Sequence, residues 1–218
     1  MGPFEPAPGD ERLTTAIVSD ALDEAGFRHQ VLERRLAPLV PGSRVFGRAA
    51  TVRFVPDERD VPADPYAAAI DFVDSLEPGQ VVVIATEEAN ASAVWGELFS
   101  TAAIGAGAVG VLTDGALRDT ARIAALGFPA FSRSRLPIDY RRRLAIAQTR
   151  GTVRIGGVSI THADLVIADD DGAAVIPQHA EEAVLRIARL RASGESTVLA
   201  ELLAGESLRT VWDRHRIL

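Results

Sequence analysis

Two short runs of consecutive apolar residues stand out along the chain, Val81-Val82-Val83-Ile84-Ala85 and Val109-Gly110-Val111-Leu112-Thr113. Unbroken and rich in β-branched side chains, they predict strands of a sheet covered on both faces. Between them lie eleven mostly small or polar residues, 86–96, and then a helical segment, 97–106. The second run leads into Asp114-Gly115, which reads as a tight turn. A helix over 119–126 ends at Gly127, and Phe128-Pro-Ala-Phe-Ser132 reads as a further strand. This β-α-β-α-β succession predicts right-handed crossovers and a parallel core.

Upstream, Thr14-Thr15 precedes Ile17, Ala21 and Leu22 on one helical face, with Gly26 as the stop. Residues 45–55 alternate as a strand ended by Pro56. Asp64-Pro65 opens a helix through Leu76, since proline suits a first helical position. Downstream, 152–160 predicts a hairpin turning at Gly156-Gly157. Strands 164–168 and 173–177 are joined across Asp169-Asp170-Asp171-Gly172. Helices are expected over about 178–193 and 196–204, with a short segment to Trp212. Residues 1–11, rich in Pro and Gly, read as a flexible arm, and 12–218 as one domain. The fold class is α/β: a single compact domain with a mixed, partly parallel central sheet flanked by helices, plus a helical C-terminal tail.

Composition narrows the chemistry. The 218 residues suit one well-packed domain. A net charge of −7 argues against a nucleic-acid groove or an anionic membrane surface as partner. The run Arg141-Arg142-Arg143 is the local exception and reads as a solvated surface or a subunit contact. With no cysteine, there are no disulfides, thiolate zinc sites or cysteine nucleophiles. All 23 basic residues are arginine. Without lysine no Schiff-base aldolase, pyridoxal-phosphate enzyme or standard P-loop can be built. The N-terminus lacks a basic start and an apolar core, and no apolar run reaches spanning length, so a cytoplasmic location is expected.

Three motifs carry little. Gly105-Ala-Gly107-Ala-Val-Gly110 matches a dinucleotide fingerprint in letters, but a helix precedes it and a strand follows, the reverse of what a pyrophosphate site needs. Residues 169–172 lack the ligand spacing of a calcium loop. Histidines 29, 162, 179 and 215 form no i, i+4 pair.

Glu97, Arg118 and Asp119 have better context. Both loops that carry them follow predicted parallel strands, at the edge where open α/β sheets bind ligands. The 86–96 connection exceeds the usual length of about 2–6 residues. Gly96 allows a ligand to approach the backbone closely. The amides of Glu97, Leu98 and Phe99 open a helix and can grip a carboxylate, which Arg118 can clasp bidentately. Asp119 suits Mg²⁺ or Mn²⁺, and Glu97 could orient the metal's waters. The structural alternative is a surface ion pair and helix cap formed by Arg118 and Asp119.

Trp95-Gly-Glu-Leu-Phe-Ser-Thr-Ala-Ala, Gly110-Val-Leu-Thr-Asp-Gly-Ala-Leu-Arg-Asp119 and Leu126-Gly-Phe-Pro-Ala-Phe131 resemble the RraA-like family of 4-hydroxy-4-methyl-2-oxoglutarate aldolases and regulators of ribonuclease E activity. Residues 14–22 and 169–177 are also similar to family segments. The resemblance spans most of 13–213, and its most specific part is an acid, twenty residues, then Arg-Asp. It implies a swivelling β/β/α-like fold and a class II pyruvate aldolase, a carbon–carbon lyase using Mg²⁺ or Mn²⁺. It implies oxaloacetate decarboxylation as a companion activity and a homotrimer or homohexamer. It also implies that Gly96, Glu97, Leu98, Phe99 and Arg118 contact the pyruvoyl unit of a small 2-oxo acid, that Asp119 holds the metal, and that Glu97, Arg118 and Asp119 are catalytic. Glu195 is the best match for an acid reaching the site from a neighbouring subunit. In aldol cleavage Arg118 would poise a water as base. Arg122, where relatives often carry an acid, and Thr86-Glu87-Glu88-Ala-Asn-Ala-Ser, in place of a glycine-rich loop, depart from the family pattern. The alternative function is a non-catalytic regulator that binds a ribonuclease.

Overall fold

The structure, a computed structural model, describes residues 4–33, 36–57, 64–87 and 92–217. In chain order the elements are α1 (Thr15–Glu24), β1 (Ala37–Pro38), β2 (Val45–Pro56), α2 (Ala67–Asp74), β3 (Gln80–Ala85), β4 (Ala93–Trp95), α3 (Glu97–Gly105), β5 (Gly110–Leu117), α4 (Thr120–Ala125) and β6 (Ala130–Arg135). They continue as β7 (Leu144–Thr149), β8 (Thr152–Ile155), β9 (Val158–Thr161), β10 (Leu165–Asp169), β11 (Gly172–Ile176), α5 (Glu181–Leu203) and α6 (Leu208–His215).

The main sheet is mixed, with the order β1-β6-β5-β3-β2-β10-β11, while β4 pairs with β5 and β7 with β2. β2, β3, β5 and β6 run parallel, which the β-α-β-α-β succession predicted for β3, β5 and β6. β1, β7, β10 and β11 add antiparallel edges. Alternation of side chains builds two cores from one strand. Val82 and Ile84 face a layer made by Phe72 and Val73 of α2, Ala103 of α3 and Ile123 of α4. Val81, Val83 and Ala85 face the separate β8-β9 hairpin through Val153, Ile155, Val158 and Ile160. On β10 and β11, Leu165, Ile167, Ala174 and Ile176 turn to a third cluster under α1 and α5.

Local chemistry explains several boundaries. The Thr14 side chain caps α1 by accepting from the Ile17 amide. The hairpin turns through Gly156 and Gly157, both at positive φ, as expected. The Gly105–Gly110 segment links α3 to β5, in keeping with its reading as a helix-to-strand connection. Asp169 of the acidic turn accepts from the Thr15 amide (2.8 Å) and hydroxyl (2.6 Å) and so ties β10 to α1.

Four expectations are corrected. Asp114-Gly115 is no turn: β5 runs straight through it, with a register shift against β6 between Thr113 and Ala116. Buried Asp114 is held instead by the Thr86 amide (2.7 Å) and hydroxyl (2.9 Å). The 86–96 segment is not all loop, since β4 pairs with β5; residues 88–91 lie outside the described residues. The first helix after Pro65 begins at Ala67 and ends at Asp74, shorter than 64–76, with the Asp64 carboxylate taking the Tyr66 amide (3.2 Å). The C-terminal helix does not break near 194: α5 is one helix of 23 residues. Gly194 stays helical there, and a Cβ on it would lie 2.3 Å from Ile217.

Of the N-terminal arm, residues 1–3 lie outside the described residues. Phe4 stacks edge-on against Phe46, and fully buried Asp10 takes two bonds from Arg189 at 2.7 and 2.9 Å.

Candidate active site

β3 and β5 end side by side, and the segments that follow them line a pocket of about 350 Å³. Gly96, Glu97, Leu98, Phe99, Arg118 and Asp119 all line it, so the residues singled out in sequence converge in space. Tyr66, Ile70, Trp95 and Tyr140 supply aromatic and apolar walls.

Gly96 is the tightest point. Its backbone is extended, and a Cβ would lie 2.9 Å from Asp119 Oδ2 and 3.1 Å from Arg118 Cγ. Trp95 fixes this strand-to-helix junction: its indole N–H donates to Ser100 Oγ (2.8 Å), whose hydroxyl donates to the Gly96 carbonyl (3.0 Å). The first backbone bond of α3 runs from the Ser100 amide to Gly96, which leaves the amides of Glu97, Leu98 and Phe99 without a partner inside the helix.

Asp119 has φ +55, a left-handed conformation that aspartate tolerates better than most residues. Its side chain does not cap α4, which it precedes. The carboxylate turns instead to α3, where the Glu97 amide donates to it at 3.4 Å, and lies 3.8 Å from Arg118 Nε. Of the structural alternative, the ion pair with Arg118 forms, at 3.8 Å, while the cap on α4 does not.

Arg118 is anchored by a residue that sequence reasoning missed. Its Nη1 donates to Asp139 Oδ2 at 2.8 Å, and the Tyr66 hydroxyl donates to the same oxygen at 2.7 Å. Asp139 also takes the Arg141 amide (2.8 Å) and Nε (3.1 Å). Burial pushes this carboxyl up, but the Arg141 amide, the Tyr66 hydroxyl and the Arg118 charge together hold it below its ordinary value. Burial, with the bond to Asp139, raises the Tyr66 phenol. The only signal in sequence was an acid one residue removed from the arginine run, with Tyr140 between them. That run is partly a structural clamp on Asp139.

Glu97 faces Arg122, with Nη1 at 3.1 and 3.4 Å from its two oxygens. Arg122, read in the sequence as a departure from the family pattern, thus occupies the carboxylate expected to order the metal's waters. Glu195 lies on α5, outside the described lining of the pocket, and pairs with Arg191 at 3.4 Å.

Among the described residues, no group of three or more His, Asp or Glu side chains is gathered to hold a metal ion. A hard divalent cation that keeps several waters and shares the substrate's oxygens needs only one or two protein carboxylates. Asp119, half-exposed on the pocket wall and only weakly engaged by its neighbours, fits that role.

Fold and site together define an α/β domain with a small pocket of paired acid and arginine beside a helix N-terminus, at the C-terminal edge of parallel strands. Within that class the chain belongs to the RraA-like family: the Aldolase/RraA pattern matches residues 15–175. It is 28% identical over 195 residues to protein DlpA of Legionella pneumophila, covering 89% of this chain but only 31% of that protein's length. It is 32% identical over 177 residues to a Halalkalibacterium halodurans protein whose name proposes 4-hydroxy-4-methyl-2-oxoglutarate aldolase activity, covering 81% of this chain and 79% of that one. The fold superposes on Streptomyces coelicolor RraAS2, described as an unusual member of the RNase ES inhibitor RraA family. There the TM-score is 0.75 and the identity 25%, covering 94% of this chain and all of that one. Among the described residues no helix is long and apolar enough to cross a membrane.

Proposed function

We propose that the chain is a divalent-metal-dependent pyruvate aldolase that cleaves 4-hydroxy-4-methyl-2-oxoglutarate or a related 4-hydroxy-2-oxo acid, and that it also decarboxylates oxaloacetate. The observation that carries this reading is the junction at Gly96. There a carboxylate, a guanidinium and a helix N-terminus meet in one pocket at a spacing only glycine allows.

Asp119 would hold Mg²⁺ or Mn²⁺, which when bound supplies Lewis-acid stabilisation of the pyruvate enolate. The amides of Glu97, Leu98 and Phe99 orient the substrate carboxylate at the positive end of α3. Arg118, anchored at one nitrogen by Asp139, presents the rest of its fork to the 2-oxo acid. Phe99 and Trp95, with ring centroids 5.4 Å apart, exclude water from that wall. Decarboxylation needs no proton acceptor at C4, whereas aldol cleavage does. The same reading makes the chain a cytoplasmic homotrimer or homohexamer in which Glu195 from a neighbouring copy completes the site.

A second reading, a non-catalytic regulator that binds a ribonuclease through its surface, draws on the likeness to the Streptomyces protein. It requires none of the pocket's charges. A pyruvate-release assay separates the two. The lyase turns over 4-hydroxy-4-methyl-2-oxoglutarate and oxaloacetate with Mg²⁺, stops with EDTA, and is lost in Arg118→Ala and Asp119→Ala. Metal-independent turnover, or full activity in both variants, overturns it.

A further inference from the structure

Aldol cleavage must move a proton off the C4 hydroxyl. Arg118 stays protonated, and Asp119 is committed to the metal position. Resting on the lyase reading, we propose that Tyr66 is the acceptor, a catalytic residue that takes the C4 proton while passing its own phenolic proton to Asp139.

The placement carries the argument. Tyr66 lines the same pocket as Gly96, Arg118 and Asp119. Its hydroxyl and Arg118 Nη1 meet on one oxygen, Asp139 Oδ2, at 2.7 and 2.8 Å. The phenol therefore lies within two hydrogen-bond lengths of the group that grips the substrate carboxylate. The C4 carbon of a 4-hydroxy-2-oxo acid is three carbon–carbon bonds from that carboxylate carbon, so its hydroxyl falls within the span between Arg118 and Tyr66. The ring is held in place: Tyr140 packs edge-on at 5.6 Å and the Arg141 guanidinium lies 5.2 Å from its centroid. Asp139 is fixed in turn by two bonds from Arg141. Burial and Asp139 raise the phenol above its ordinary value and the donors around Asp139 hold that carboxyl below its own, so in the resting site the proton lies on Tyr66 and Asp139 is ionised.

In the step, the C3–C4 bond breaks and its electron pair passes into the pyruvate unit as the enolate. The C4 oxygen becomes a carbonyl as its proton moves to the Tyr66 oxygen and the Tyr66 proton moves to Asp139 Oδ2. The enolate then takes a proton at C3 from water, and the proton on Asp139 passes back through Tyr66 to that water, which yields pyruvate and restores both residues. No further reactant is consumed.

Tyr66→Phe tests this, because oxaloacetate decarboxylation needs the enolate but not the relay. General acid–base groups are typically worth about 10²–10⁴-fold. The variant is expected to lose at least about 100-fold in kcat for 4-hydroxy-4-methyl-2-oxoglutarate. It should keep decarboxylation within about threefold and bind pyruvate by calorimetry within about twofold. Equal loss of both reactions, or loss of neither, overturns the relay and leaves the lyase reading standing. If the unmodified chain turns over neither substrate, both fall. A measurement on the unmodified chain is independent of how the variant folds: rates in H₂O/D₂O mixtures should bow downward for cleavage, as two moving protons require, and not for decarboxylation. A straight line for cleavage also overturns the relay.

Discussion

At the scale of single residues, the site is defined by what each side chain is prevented from doing. Asp119 precedes a helix that it does not cap, Arg118 is held by Asp139, and Gly96 leaves room for both. Gly96→Ala puts a methyl group against the Asp119 carboxylate and the stem of Arg118, both partly exposed side chains that shift at small cost in stability. The expected outcome is a thermal midpoint within a few degrees of the parent and pyruvate binding weakened at least about tenfold by calorimetry, because the bound geometry is lost. His162 makes a separate prediction. Burial, helped by the nearby Arg150 charge, holds its pKa below the ordinary 6.5. The unfolded chain therefore takes up this proton first. Its contribution to stability is complete above 6.5 and is lost as pH falls from there toward the folded value. Urea midpoints should drop between about pH 7.5 and pH 5.5, and His162→Gln should flatten that part of the curve.

At the scale of elements, the pocket depends on how β3 and β5 are tied at their ends. Asp114, inside β5, binds the amide and hydroxyl of Thr86, the residue that follows β3. The same point brings Gly115 against Thr86, where a Cβ would lie 2.7 Å from its methyl group. Asp114→Ala strands two buried donors and should cost about 2–4 kcal/mol in chemical denaturation. It should also lower turnover, since Arg118 and Asp119 follow directly on β5. The Asp-Gly pair looked like a turn because that dipeptide favours turns locally. The partner that keeps it in a strand is twenty-eight residues away. A similar limit applies to β7, which the sequence pattern did not predict: its pairing with β2 is long-range and half of its residues are exposed.

At the scale of the whole molecule, the parallel core was legible because strands buried on both faces read as apolar runs whatever their neighbours. The proposed assembly belongs here. Leu98 at the pocket mouth is 80% exposed, and Leu199 and Leu203 on α5 are 60% and 88% exposed. Multi-angle light scattering should give three or six times the chain mass of 23.2 kDa. Leu199→Glu with Leu203→Glu should lower that multiple if α5 forms the contact.

By itself, the sequence determined the alternation of strands and helices and the exclusion of lysine and cysteine chemistry, and it singled out Gly96, Glu97, Arg118 and Asp119 as candidates. Those features are local: they lie in periodicity, composition and short motifs. Only the tertiary structure decided that Glu97 faces Arg122, that Asp119 turns away from its own helix, and that Tyr66 and Asp139 belong to the site. Each of these depends on chain segments brought together by the sheet, and a hydrogen bond between residues 73 positions apart leaves no trace in the local pattern of either.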